Sequence, residues 1–403
     1  MVQVKGFKGI RPTKEKSEDI AAVPYDVVKS GEAKLIAEEN PLSFLKIDRA
    51  EINFDEDIDF QDPKVYEKAK ELIEEYIAKG FFLEDPDESI YIYEQQWKDV
   101  VQKGIVCLSS CEDYLDKKVK IHEHTLTAKE IDRTNHIDIT NYHTGPIFLL
   151  YREKKEIQEA IEEGIKTGEV IFDFERDGVK HKGYRIESRK LEELFKDVDA
   201  TYIADGHHRC KSAINVYEKR KEEDRLTEGS GYFLSVIFPK NEVKILPYNR
   251  IVKDLSPYSE EEFVGKLKEY YEVEEIEDYR DPVGKFNATV FVGNTFYSID
   301  LKEDKKSEDP VDSLDAAVMQ KYIFDDILGI KNPKEDKRLE FVGGIREPAF
   351  AIEKVKDEGG AAFFLWATTV EELLNVADHD RIMPPKCTWF EPKLQSGLFL
   401  HRL

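Results

Sequence analysis

The run Thr201-Tyr202-Ile203-Ala204-Asp205-Gly206-His207-His208-Arg209 sets an acid, a glycine, two imidazoles and a guanidinium directly behind apolar residues. Tyr202, Ile203 and Ala204 read as the end of a buried strand, and Cys210 to Tyr217 carries apolar residues at helical spacing, so the polar five occupy a strand-to-helix turn. Gly206 permits a positive φ and a close backbone approach, and the free N–H groups of a helix start attract an anion. Phosphate fits such a turn. Arg209 can fork onto its oxygens, His207 and His208 can donate hydrogen bonds, and Asp205 can orient a hydroxyl or a magnesium-bound water. One histidine beside one glycine would be an ordinary surface turn; the five groups together predict a functional site.

Two further clusters carry chemistry. Ile121-His122-Glu123-His124-Thr125 precedes Asp132-Arg133 at helical distance, and its carboxylate between imidazoles is open to three readings: general base, metal ligand or polar helix start. Histidines two apart lie on opposite sides of a helix, so a zinc site of the HExxH kind is excluded. Near the C-terminus, Pro384, Pro385, Pro392 and Gly397 forbid a regular helix, while Lys386, Thr388, Lys393 and Ser396 offer donors on a stiff extended loop. A plain proline-rich tail is the alternative. Cys107, Cys111, Cys210 and Cys387 show neither zinc-type spacing nor a dense disulfide frame, which fits a reducing compartment; Cys210 reads as a small apolar residue facing the sheet.

The elements that must position these groups can be read in part. Asp62 and Pro63 cap a helix whose apolar stripe is Val65, Ala69, Leu72, Ile73, Tyr76 and Ile77, and Gly80 stops it. Short strands and turns are expected to open the first 105 or so residues, including Val23–Val28 and Ser43–Ile47, and strands near Ser89–Tyr93, Ile105–Leu108, Gly145–Tyr151, Gly231–Phe238, Thr289–Val292, Phe296–Leu301 and Ala361–Trp366. Helices are expected around Ile157–Ile165, Leu191–Phe195, Glu260–Tyr271 and Ser313–Leu328, a hairpin from Val170 to Ile186, and a capping box at Thr369 and Glu372. The alternation is irregular, which predicts an α+β fold rather than a regular parallel α/β sheet. Three stretches follow: 1–104 as an N-terminal α+β region, 105–222 as the core that holds the chemistry, and 223–403 as a C-terminal α+β region closing the site.

With 403 residues, 40% hydrophobic and 36% charged, the chain exceeds one ordinary core. No segment approaches the roughly 18 continuous apolar residues of a membrane span, and the first six residues do not open a signal peptide, so a cytoplasmic enzyme without a membrane partner is expected. Lys+Arg 60 against Asp+Glu 84 gives a net charge of −24, which disfavours non-specific nucleic-acid binding.

In order along the chain, IHEHT, GPIFLLY, YIADGHHRCKSA, FFLWATTVEELL and MPPKCTWFEPKLQSGL resemble the free serine kinases of the ParB/sulfiredoxin-like group. They also resemble a widespread bacterial family of formerly unknown function that is defined by the DGHHR element. The latter likeness runs over essentially the whole chain; the kinases correspond to roughly 105–215 and 360–400 and lack the first 100 or so residues and the 219–360 insertion. The resemblance implies a ParB/sulfiredoxin-like nucleotide-binding core with added N- and C-terminal parts. It also implies phosphorylation of free L-serine to O-phospho-L-serine, a precursor for cysteine synthesis, with ATP or ADP as donor. Carried over, Glu123 matches the catalytic base and Asp205 the acid at the reacting phosphate, while Gly206, His207, His208 and Arg209 match the phosphate loop. Sulfiredoxins use a cysteine in this turn and ParB proteins Glu-Arg-Arg; His207 and the lack of a turn cysteine argue against sulfiredoxin chemistry.

Phosphoryl transfer needs alignment and charge neutralisation, so magnesium is expected, with Asp205 as its protein contact, and Lys386 and Thr388 are the expected donors to the substrate carboxylate. No GxxxxGK[ST] loop and no HRD and DFG pair is present, which excludes the two commonest phosphotransfer designs. Two alternatives stay open: a ParB-like nucleotide-binding switch, and a metal-dependent hydrolase using His122, His124, His207 and His208. The oligomeric state is not legible.

Overall fold

The computed structural model describes residues 1–54 and 58–403. The chain forms two compact units, 1–243 with 392–403, and 244–391. Helices and sheets are mixed in both, as the irregular alternation predicts.

The first unit is built on a nine-stranded sheet. Its strands are β1 (Val4–Lys5), β2 (Ile90–Trp97), β3 (Val100–Ser110), β4 (Val119–Lys120), β5 (Ile147–Tyr151), β6 (Glu169–Arg176), β7 (Val179–Ile186), β8 (Thr201–Asp205) and β9 (Tyr232–Pro239). They lie in the order β4-β8-β5-β9-β3-β2-β7-β6, with β1 on β3. β3, β5 and β9 are near-continuous apolar runs because both faces of the central sheet are covered: Ile105, Val106, Cys107, Ile147, Leu149, Leu234 and Ile237 are all buried. Residues 1–104 and 105–222 therefore share one sheet. β4 runs parallel to β8, with Val119 opposite Thr201 and Lys120 opposite Tyr202. Parallel neighbours end on the same side, so the loop after β4 and the turn after β8 leave the sheet together.

Several helices flank the sheet, three of which follow. In α1 (Pro63–Ala78) the Asp62 carboxylate accepts from the Lys64 N–H, and Val65, Ala69, Leu72, Ile73 and Tyr76 are buried as the stripe predicts. α2 (Thr127–Thr140) ends on Asn141 in the left-handed region, φ 66°. α3 (His207–Glu222) packs on α2. Ser212 Oγ donates to the Glu130 carbonyl at 3.0 Å, and the buried Arg220 donates to Asp138 at 3.0 Å and Asn141 at 2.9 Å.

Two segments expected as strands or turns resolve as turns, and one helix is corrected. Ser43–Ile47 does not pair as a strand: Leu45–Asp48 is a helical turn, and Phe44, Leu45 and Ile47 all face the core, a short apolar run that periodicity alone leaves ambiguous. Val23–Val28 turns, with the Val27 N–H donating to the Pro24 carbonyl at 3.0 Å. The long helix expected over Ser313–Leu328 is α-helical only at Asp315–Met319 and continues as wider π-type turns over Gln320–Ile327.

The second unit holds a six-stranded antiparallel sheet in the order Tyr271–Ile276, Thr295–Leu301, Asn287–Val292, Ala361–Leu365, Tyr248–Val252, Leu339–Gly343. The capping box expected at Thr369 and Glu372 is present in both directions. Among the described residues no helix is long and apolar enough to cross a membrane.

Candidate active site

Gly206 stands between β8 and α3 with φ 93°, a conformation that glycine reaches without penalty. A Cβ there would lie 3.1 Å from Nε and Nη2 of Arg209, so the guanidinium rests directly over the turn. Arg209 Nη1 donates to the Pro146 carbonyl at 2.5 Å, while its Nε is buried without a partner among the described residues. A buried cationic N–H left unmet at the mouth of a glycine turn is an anion donor in waiting.

The two histidine clusters, distant in sequence, are pinned to each other. The His122 N–H donates to His207 Nε2 at 3.4 Å, the Leu126 N–H donates to His208 Nε2 at 3.0 Å, and the His122 and His207 rings meet edge to face at 4.4 Å. A backbone N–H only donates, so both Nε2 atoms accept and a neutral ring keeps its proton on Nδ1. Burial, with His122 alongside, holds His207 well below the usual imidazole range despite the pull of Asp205. His122 is lowered by burial to about 4, against Asp205 and the Ile203 carbonyl. Glu123 lies half-buried in the loop between β4 and α2 that these bonds fix.

Asp205 Oδ1 accepts from the Gly206 N–H at 3.0 Å, and Oδ2 faces Lys393 Nζ at 3.1 Å. Burial alone would raise this carboxyl; the charges of Lys393 and Arg209 outweigh it and hold Asp205 well below the usual carboxylate range. Main-chain anchoring places Lys393. Buried Gln95 donates to the Lys393 carbonyl at 2.9 Å, Gln102 donates to Gln95 at 2.8 Å, and Ser396 exchanges backbone hydrogen bonds with Ala22 at 2.8 and 3.2 Å. The sequence offered Lys393 as one of four donors on the proline-rich loop without assigning it to the Asp205 turn; two buried glutamines on β2 and β3 were the available signal.

Lys386 and Thr388 belong to the second unit. Lys386 is exposed with φ 60°, its ammonium 5.4 Å from the Tyr248 ring centre and its carbonyl accepting from Arg250 at 2.8 Å; Thr388 is half-buried. Among the described residues no three His, Cys, Asp or Glu side chains converge as metal ligands. Asp205 places a carboxylate at the turn, a ligand type that hard cations take.

The buried imidazoles set an expected pH response. His122, His136 and His401 are lowered to about 4 and His143 and His181 to about 3, burial being the largest cause in each. Below pH 6.5 the unfolded chain takes up protons that the folded chain refuses, so stability falls as pH falls through this window. The apparent guanidinium midpoint is expected to drop steadily between pH 6.5 and 4, by an amount on the order of several kcal/mol in total. An unchanged midpoint between pH 7 and 4.5 would contradict neutral buried histidines.

A family model described as Protein of unknown function (DUF1015) matches residues 4–317. No protein of curated function shows a significant match. Among solved structures, the chain is similar to SbnI with C-terminal truncation from Staphylococcus aureus, at 11% identity and TM-score 0.40, covering 73% of this chain and 87% of that one. It is also similar to a free serine kinase variant in complex with AMP, at 18% identity and TM-score 0.37, covering 71% and 87%. A second free serine kinase variant, in complex with ADP, stands at 17% identity and TM-score 0.37 with the same coverage. At these scores none of the three carries a functional argument, which rests on the chain's own residues.

Proposed function

The chain belongs to the DUF1015 family, and we propose that it is a small-molecule phosphotransferase that moves a phosphoryl group from ATP or ADP to the hydroxyl of free L-serine. The observation that supports this most is the fastening of the Glu123 loop onto the glycine turn through His207 and His208. It gives one carboxylate and one anion-binding turn a fixed relation, which in-line transfer to a hydroxyl requires. A ParB/sulfiredoxin-like core is the fold expected to carry such a turn.

In this reading the Gly206 turn, His207, His208 and Arg209 hold the phosphates. Glu123 accepts the hydroxyl proton as the serine oxygen bonds to phosphorus; the bond from phosphorus to the bridging oxygen breaks, and the nucleotide leaves one phosphate shorter. Magnesium, when bound, would neutralise phosphate charge, and Asp205 is the residue that would hold it or its water.

Arg209→Ala is expected to weaken nucleotide binding at least tenfold, the scale of a lost charged hydrogen bond, as read by calorimetry on the folded variant. Unchanged affinity would remove Arg209 from the phosphate site. A hydrolase built on His122, His124, His207 and His208 predicts stoichiometric zinc in the purified protein, whereas the phosphotransferase predicts exchangeable magnesium; elemental analysis separates them.

A further inference from the structure

Lys393 reaches Asp205 from a segment that lies outside every helix and strand, so something other than a ladder must fix it. Against that segment stands a row of buried polar side chains. Gln102 on β3, Gln95 on β2 and His181 on β7 are direct cross-strand partners on adjacent strands, and Tyr93 precedes Gln95 by two positions on the same face. All four are at most 1% exposed. Apolar side chains would fill this face without polar cost, so four buried polar groups in one place require partners.

The partners are main-chain groups of the segment. Gln95 donates to the Lys393 carbonyl at 2.9 Å, Gln102 donates to the Pro392 carbonyl at 3.4 Å, and the Gln395 N–H donates to the Tyr93 hydroxyl. Having accepted that bond, Tyr93 turns its own proton to His181 Nδ1, 2.7 Å away. Gln95 Nε2, which only donates, faces the same nitrogen at 3.5 Å, so His181 Nδ1 is the acceptor at the end of the row. The His181 ring stacks on Phe174 with centres 5.0 Å apart, and burial, with Arg176 alongside, keeps it uncharged. The chain is thus gripped on both sides of the Lys393 side chain.

We infer that Tyr93 and His181 are positioning residues: through the Gln395 main chain they aim the Lys393 ammonium at Asp205. Lysine carries its charge on a flexible stem, so fixing its main chain narrows where the ammonium can stand. A buried network with its partners in place specifies one arrangement of the segment, which an apolar face would not do. The effect on turnover rests on the phosphotransferase reading; the grip on the segment does not.

The test measures kcat and KM in the full chain for Tyr93→Phe, His181→Leu and His181→Asn, each alone and combined with Lys393→Ala. Tyr93→Phe and His181→Leu are expected to lower kcat about tenfold and leave the nucleotide KM unchanged, since a shift of about 1 Å at a positioned group costs up to about 100-fold. His181→Asn sets an amide oxygen where Nδ1 stands, and its kcat should lie within about threefold of wild type. In the Lys393→Ala background none of the three should lower kcat further, because groups that act as a unit are not additive. Wild-type kcat in folded Tyr93→Phe and His181→Leu, or losses that multiply with Lys393→Ala, overturns the inference. Deuterium exchange of residues 392–398 reads the grip without turnover. It should run about tenfold faster in Tyr93→Phe and His181→Leu, at the wild-type rate in His181→Asn, and unchanged over β5 in all three. Should exchange follow this pattern while serine is never phosphorylated, the grip on Lys393 stands and the kinase reading falls. Unchanged exchange in Tyr93→Phe and His181→Leu overturns the grip whatever the kinetics.

Discussion

Replacing Glu123 by glutamine is expected to lower turnover by about 100-fold or more while leaving nucleotide affinity unchanged, because an amide keeps the shape of the side chain and loses the proton acceptor. The loop that carries Glu123 is held through main-chain N–H groups of His122 and Leu126, neither of which the substitution touches. Nucleotide binding is therefore an internal control for fold. Steady-state kinetics with saturating nucleotide checks it, and a variant within threefold of wild type would take the base role from Glu123.

The second large effect is expected at the Asp205–Lys393 pair. Lys393→Ala removes the charge that does most to keep Asp205 ionised in a half-buried site, so the carboxyl rises back toward or above its ordinary range. Turnover should fall by roughly 100-fold near neutral pH, the scale seen when one positioned electrostatic group is lost. In the variant the acid limb of the pH–rate profile should move to higher pH. Asp205→Asn should match it in turnover and lose the response to magnesium, and the double variant should be little worse than either single one, since the two act as a unit. An acid limb at the wild-type position in Lys393→Ala would mean that Lys393 does not set the ionisation of Asp205.

The frame of this site is legible in the sequence. The strand-turn-helix at Asp205 to Arg209 followed from an apolar run, a glycine and a helical repeat, all local signals. The capping box at Thr369 and the cap at Asp62 are equally local. What lay out of reach depends on long-range pairing. That β4 and β8 are parallel neighbours, bringing His122 to His207 across 85 positions, follows from the sheet order and not from either segment. Lys393 was visible as a donor on a stiff loop, but its meeting with Asp205, 188 positions away, needs the Gln95 and Gln102 anchors. The Ser43–Ile47 run was ambiguous for a different reason: five residues fit a strand or a helical turn equally, and packing decided for the turn.

The central claim is phosphoryl transfer to a free amino-acid hydroxyl, and phosphorus NMR of the full chain with L-serine, magnesium and ATP or ADP tests it most directly. The account predicts a phosphomonoester resonance, split by the two adjacent methylene protons, that grows one for one as the terminal phosphate of one nucleotide disappears. Release of inorganic phosphate with no phosphomonoester, or an unchanged spectrum with both nucleotides, would contradict it.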